Sequence, residues 1–280
     1  QTLLYTVVVT RELKGMITNT VSVSTRTPDL TLGNNSSVHS ILVDPDVPDH
    51  LVFTQQPPAI LTAGDDFNPL PVLEIRDRFD NLINNTVGSA DTIRLEPYRD
   101  VGTPCTNLAT QSALQNNVAD AVGGSVTFPG LNYIVAERIR LRAVDIEPGR
   151  SVTPACSNVI GVNPDEVSIL QFVTPSRVIT AGDISEVITI SRTDQFGNDN
   201  LVGDLTIELQ ENSQGTGSFL ANPSSIVPIS TLVIFSGTAS SSFYYTDTIA
   251  GNYTITGTAP GGVTPAVQSM TVNAAPAQEL

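Results

Sequence analysis

Residues 51–67 read LVFTQQPPAILTAGDDF, and residues 170–185 read LQFVTPSRVITAGDIS. Thr62-Ala63-Gly64-Asp65 returns as Thr180-Ala181-Gly182-Asp183, each behind a hydrophobic run. Downstream, Asp77 to Asn81 (DRFDN) matches Asp194 to Asn198 (DQFGN). Phe128 then matches Phe243, Ala136 matches Ala250, and Val152-Thr153-Pro154-Ala155 returns unchanged as Val263-Thr264-Pro265-Ala266. Anchors that recur in one order, at a spacing that shrinks slowly, are the signature of a duplicated module.

Each copy is written in strands. PVLEIRD (71–77) and VITISRTD (187–194) alternate apolar and polar residues, as do DTIRLEPY (91–98) and DLTIELQE (204–211), and RIRLRAVD (138–145) and NYTITGTA (252–259). Period-two alternation marks half-buried strands, and turn residues spaced as they are here mark a sandwich. FDN and FGN carry the Asn, Asp and Gly of tight hairpin turns. The Val-Thr-Pro-Ala motif opens the last strand of each copy, because proline has no N–H for a ladder and belongs at a strand start or edge. Cys156 aligns with Val267 on that strand, and an inward-facing position is expected for both. No segment keeps a helical period. The expected fold is therefore all-β: tandem antiparallel Ig-like β-sandwiches in an extended array.

The joints repeat too. VDPDVPDHL (43–51), VNPDEVSIL (162–170) and VNAAPAQEL (272–280) each follow a terminal valine, and proline makes such joints semi-rigid. The organisation read from this is 1–46 as the end of an incomplete sandwich, 47–163 and 164–274 as two complete ones, and 275–280 as a linker toward a further repeat. YTVVVT, ITNTVSVST and SVHSILVD in the first portion are three strands, too few for an independent sandwich. The chain is thus expected to be a piece of a longer repetitive array.

The chain has 280 residues, 40% hydrophobic and 15% charged, with a formal net charge of −15 and no Trp. That balance disfavours nucleic acid, whose phosphates require a basic surface. No run approaches the length of a membrane-spanning helix. Expected partners are other copies of the chain or neighbouring repeats. The only cysteines, Cys105 and Cys156, fall in one repeat; a disulfide, formed in an oxidising compartment outside the cytosol, is one reading, and two buried thiols are the other. Lys14 is the only lysine, so Lys–Asn isopeptide staples are excluded from both repeats.

Residues 49–163 and 167–273 resemble bacterial Ig-like repeats of large secreted and surface proteins. The pattern of hydrophobic strand, Gln-Pro, Thr-Ala-Gly and Asp-aromatic-Gly-Asn carries the likeness. The first copy departs at Asp80, and the second has Thr174-Pro175 where the family has Gln-Pro. Residues 1–44, through ITNTVSVSTRTPDLTLGNNSS, resemble the C-terminal part of a different bacterial surface repeat, a conserved domain of unknown function. The resemblance implies a bacterial, extracellular or cell-surface protein. It leaves stalk, sheath, filament and adhesin open, including an adhesin that reads a glycan or partner-cell surface through sandwich-end loops.

Catalytic chemistry finds little support. Nucleophilic catalysis needs a base beside the nucleophile, and the only histidines are His39 and His50. Glu74 with Asp77, and Asp204 with Glu208, are carboxylate pairs better read as surface acids. Tyr244 and Tyr245 are adjacent on a strand and must face opposite ways, which argues against a sugar-stacking platform. No catalytic residue is assigned. Calcium is the one candidate cofactor: Asp44, Asp46, Asp49, Asp165 and Glu166 place hard oxygen ligands in the joints, with the turn acids Asp77, Asp80, Asp194 and Asp199 within plausible reach. Solvated linker acids are the competing reading. Asn34, Asn35, Asn84 and Asn252 head glycosylation sequons.

Overall fold

A computed structural model describes residues 15–84 and 87–276. They divide into two compact units whose main boundary lies between Gly161 and Val162. Both units are built from strands, and both follow one plan.

In the second unit two five-stranded sheets form the sandwich. One holds Ile169–Phe172, Ile188–Thr193, Ser240–Asp247, Gly217–Leu220 and Pro228–Ile229, in that spatial order. The other holds Arg177–Thr180, Ala266–Asn273, Gly251–Thr258, Leu205–Glu211 and Thr231–Ile234. The period-two pattern delivers Leu170, Ile188, Ile190, Phe243 and Tyr245 from the first sheet and Ile207, Leu209, Ile255, Met270 and Val272 from the second into one core. With no Trp available, aromatic contacts fill the middle: Phe219 meets Phe243 edge-on at 5.6 Å and Tyr245 in a tilted contact at 5.5 Å between ring centroids. Gly257 sits where a Cβ would lie 2.5 Å from Ile190 Cδ1, so a side chain there would have to displace that methyl group from the core. Tyr244 and Tyr245 do face opposite ways, with Tyr245 fully buried and Tyr244 only partly.

The first unit repeats the plan. His50–Gln55, Val72–Arg76 and Ser125–Thr127 form one sheet. Ile60–Thr62, Ile160–Asn163, Arg138–Asp145, Thr92–Arg99 and Asn107–Leu108 lie in order across the other. Leu73, Ile75, Phe128, Ile93, Leu95, Ile139 and Leu141 are fully buried between them.

In both units the opening strand leaves one sheet and joins the other. Prolines mark the switch, at Pro57-Pro58 and at Pro175, where a ladder N–H is not needed. A side-chain amide stitches each switch to the closing strand, but from opposite sides. In the first unit Asn158 N–H donates to Gln56 Oε1 at 2.8 Å. In the second Gln268 Nε2 donates to the Thr174 carbonyl at 2.7 Å.

Residues Gly15–Ser22 and Ser36–Val43 pair as a separate two-stranded hairpin, in register from Gly15–Val43 to Ser22–Ser36. Most of its side chains are exposed, Met16, Val38 and Leu42 among them. The expected strand YTVVVT lies outside the described residues, as does the end of the last joint.

One expectation is corrected. Val267 does not face inward; it is 63% exposed, while Ala266, Gln268 and Met270 are buried. Cys156 behaves alike: its cross-strand partner is Arg142, whose strand neighbours Leu141 and Ala143 fill the core. Cross-strand partners share a face, so both positions look outward from their sheets.

Candidate functional site

The turns at DRFDN and DQFGN are the most elaborate feature shared by the two units. Each is closed by backbone bonds, Asp77 N to Asn81 O and Asp80 N to Asp77 O in the first, Asp194 N to Asn198 O and Gly197 N to Asp194 O in the second. Both turns put a residue in the left-handed region, Gly197 at φ 85° and Asp80 at φ 69°. Glycine adopts that conformation without strain, whereas Asp is merely tolerated. Asp80 is held there by Arg76, 2.9 Å away, and by His50.

The first aspartate of each turn is fully buried, so Asp77 is not the surface acid expected from its strand position. Asp77 Oδ1 accepts from the backbone N–H groups of Phe79 and Asn81, and its Oδ2 from Asn81 Nδ2. Asp194 Oδ1 accepts from Phe196 and Asn198 N–H, and its Oδ2 from Asn198 Nδ2. The remaining bond reaches outside the turn. Asp77 Oδ2 accepts from Asp46 N–H at 2.9 Å, and Asp194 Oδ2 from Asp165 N–H at 3.0 Å. Asp46 and Asp165 are the same position of the joint, three residues after its valine. A buried turn carboxylate therefore pins the stretch of chain that leads into each sandwich. Burial pushes the Asp77 carboxyl up, and the bonds from Asp46, Asn81 and Phe79 outweigh it and hold the group below its usual value.

The candidate calcium ligands are otherwise occupied or scattered. Asp46 Oδ2 pairs with Arg78 at 3.0 Å, and its Oδ1 accepts from Val47 N–H. Asp49 pairs with His50 Nδ1, and Asp165 Oδ2 accepts from Gln195 Nε2. Asp44 and Glu166 are exposed. Among the described residues no three His, Cys, Asp or Glu converge as a metal site. The other paired acids also have structural partners: Glu74 bridges to Arg76 at 2.8 Å, and Asp204 Oδ1 accepts from Ser236 N–H. Of the sequon asparagines, Asn34, Asn84 and Asn252 are exposed and Asn35 is half-buried. Asn252 accepts a hydrogen bond from Thr271. His39 faces Asn19 across the hairpin.

Cys105 and Cys156 are bonded, with Cα atoms 6.2 Å apart across a separation of 51 residues. Because Cys156 looks outward, the bridge bolts the loop after strand Thr92–Arg99 onto the solvent side of its sheet. Around it lie Arg94, Glu96 and Tyr98 from that strand and Arg138, Arg140 and Arg142 from its neighbour. Glu96 receives Arg94 at 2.6 Å and Arg142 at 3.3 Å, and Asp100 receives Arg140 at 3.2 Å and Arg138 at 3.5 Å. Arg140 alongside holds Asp100 below the usual carboxylate range.

Sequence reasoning gave Arg192 no part. It is buried in the second unit, where the first has Ile75, and donates to the carbonyls of Gly203, Thr238 and Phe235. Burial lowers its pKa, and the charge of Asp204 only partly opposes this. Arg192→Ala is expected to lower the stability of the second unit by about 3 kcal/mol, because three carbonyls lose their donor. Urea unfolding followed at the second unit checks this; a change under about 0.5 kcal/mol would show that water replaces the guanidinium.

No family model matches the chain, and no curated protein matches it. Several solved structures are similar to it. A beta-glycosidase from Bacteroides vulgatus is 15% identical with a TM-score of 0.35, over 81% of this chain and 25% of that one. Domains 4 and 5 of the S-layer protein SbsC are 13% identical with a TM-score of 0.30, over 82% and 100%. The adhesin InvE of Yersinia pseudotuberculosis is 17% identical with a TM-score of 0.29, over 77% and 57%. The chain spans between a quarter and a third of the first solved structures it matches.

Proposed function

We propose that this chain is a non-enzymatic structural segment of a large secreted or cell-surface repeat protein of bacterial type, a part of a fibre, stalk, sheath or filament. The observation that carries the reading is the duplicated joint: two sandwiches of one topology, each with a buried aspartate that pins the incoming chain at the same position. A joint tied to the fold through a backbone N–H transmits tension into a β-ladder and not into a slack loop. The outward disulfide adds a covalent tie within the first repeat. Among the described residues no helix is long and apolar enough to cross a membrane.

Stretching single chains by their ends tests the reading. Modules that carry load in series unfold one at a time, each at a force well above the thermal background. A featureless extension would contradict a mechanical role.

A further inference from the structure

The two repeats are each other's control. Their sheets share one register: Glu96 faces Arg142 in the first as Gln210 faces Thr256 in the second, and Arg142 faces Cys156 as Thr256 faces Val267. Since Ala136 matches Ala250, RIRLR lies on NYTIT, and Arg138, Arg140 and Arg142 stand where the second repeat has Asn252, Thr254 and Thr256. One outer face is thus arginine-rich where its counterpart is neutral to acidic, with Asp204 and Glu208 exposed. The disulfide lies on the same face of the first repeat and has no counterpart in the second, which contains no cysteine.

The face is positive to an approaching molecule. Four arginines sit on it against three carboxylates, Glu96, Asp100 and, opposite Thr92 on the neighbouring strand, Asp120. Glu96 and Asp100, which lie among the arginines, are only 13% and 12% exposed, whereas Arg94 is 43%, Arg138 70% and Arg142 35% exposed, and the exposed Asp120 sits at the Thr92 end. Glu96 and Asp100 neutralise from beneath and the guanidinium groups meet solvent. The second repeat, residues 164–274, has the opposite character: ten acidic residues and two arginines, one of them the buried Arg192 and the other, Arg177, paired with Glu186.

We propose that the outer face of strands Thr92–Arg99 and Arg138–Asp145 docks the acidic second repeat of another copy of this chain, through the outer face of its strand Leu205–Glu211. Charge complementarity within one sequence favours a second copy, since every molecule carries both the cationic face and its anionic partner. Such a contact joins unlike surfaces, so it either forms twice in a reciprocal pair or runs head to tail into a ring or an open array. The proposal rests on the reading of the chain as an assembly segment and names its contact. Exposed charge pairs are screened within about 10 Å at 0.1 M salt, so the association is salt-sensitive.

Sedimentation of the whole 280-residue chain tests it. At about 20 mM salt the expected weight-average mass rises with concentration, and the rise disappears near 0.5 M salt. Arg138→Glu with Arg142→Glu is expected to weaken association at least about tenfold, since opposed charges steer and hold such contacts. Mixing that variant with Glu208→Arg chains is expected to restore part of it. Melting curves confirm that the variants fold, and the salt titration of the unaltered chain stands without them. A chain that stays monomeric at every concentration and salt overturns the proposal. So does a monomer retained on a polyuronate resin through these arginines, which would make an acidic polysaccharide the occupant. Neither result touches the load-bearing reading, which fails only if the repeats do not unfold as separate modules under tension.

Discussion

Asp77→Ala is expected to destabilise the first repeat by about 4 kcal/mol and to leave the melting of the second unchanged. The wild-type carboxylate is fully buried and accepts four hydrogen bonds, three of them from backbone N–H groups. Alanine strands those donors, frees the joint at Asp46 and opens a turn that already holds Asp80 at positive φ. Asp194→Ala is expected to do the same to the second repeat, through Phe196, Asn198 and Asp165. Pulsed hydrogen exchange reports both consequences, loss of protection at the turn and at the N–H of the joint residue. The effect of Asp77 depends on pH with a definite sign. Its folded pKa lies below the ordinary value, so its contribution is complete above the unfolded carboxyl pKa near 3.9 and is lost as pH falls through the lower folded value. The gap between wild type and Asp77→Ala is therefore full at neutral pH and narrows below about pH 4. A gap that instead widens in acid would show that the carboxyl is protonated in the fold.

Removing the disulfide is the second large effect. The bridge closes a separation of 51 residues, for which chain entropy alone gives about 4 kcal/mol. Cys105→Ser with Cys156→Ser is expected to lower the melting temperature of the first repeat by on the order of 15 °C. Because the bridge lies outside the core, the loss comes from the unfolded state and the loop, and the buried residues stay as they are. The same melt on reduced wild-type protein gives the same shift if this is right. A much larger loss in the serine variant, with near-ultraviolet signals from the buried Tyr133 collapsing, would place the bridge in the core's support instead.

The sequence shows the fold at the places where information is local. Strand alternation, the two turns and the Val-Thr-Pro-Ala prolines that open the closing strand all sit within a few residues of what they specify, and the duplication makes each readable twice. The turn acids were legible as groups within reach of a joint. Their mode of action was not, because a carboxylate that accepts from a backbone N–H looks in sequence like one that binds a cation. The facing of Cys156 was misread for a related reason. It depends on the register between Ala155–Cys156 and Arg138–Asp145, and register is a long-range property that one misplaced residue reverses. Arg192 was invisible because its three acceptors come from separate segments, at Gly203, Phe235 and Thr238. Without those carbonyls, an arginine in a strand reads as a surface charge. The arginine face was half legible: RIRLR shows one polar face on its own strand, but its meeting with Glu96 and Tyr98 is set by pairing.

The account rests on two sandwiches that bear load as separate modules, one of them covalently shortened. Single-molecule stretching under oxidising and then reducing conditions tests this directly. The account predicts two unfolding steps, one of about 35 nm for the second repeat in either condition. The other, for the first repeat, is predicted to be about 18 nm shorter when oxidised, because the disulfide hides the 51 residues it spans, and to regain that length on reduction. A single step that releases both repeats together, or a first-repeat step that reductant leaves unchanged, would contradict it.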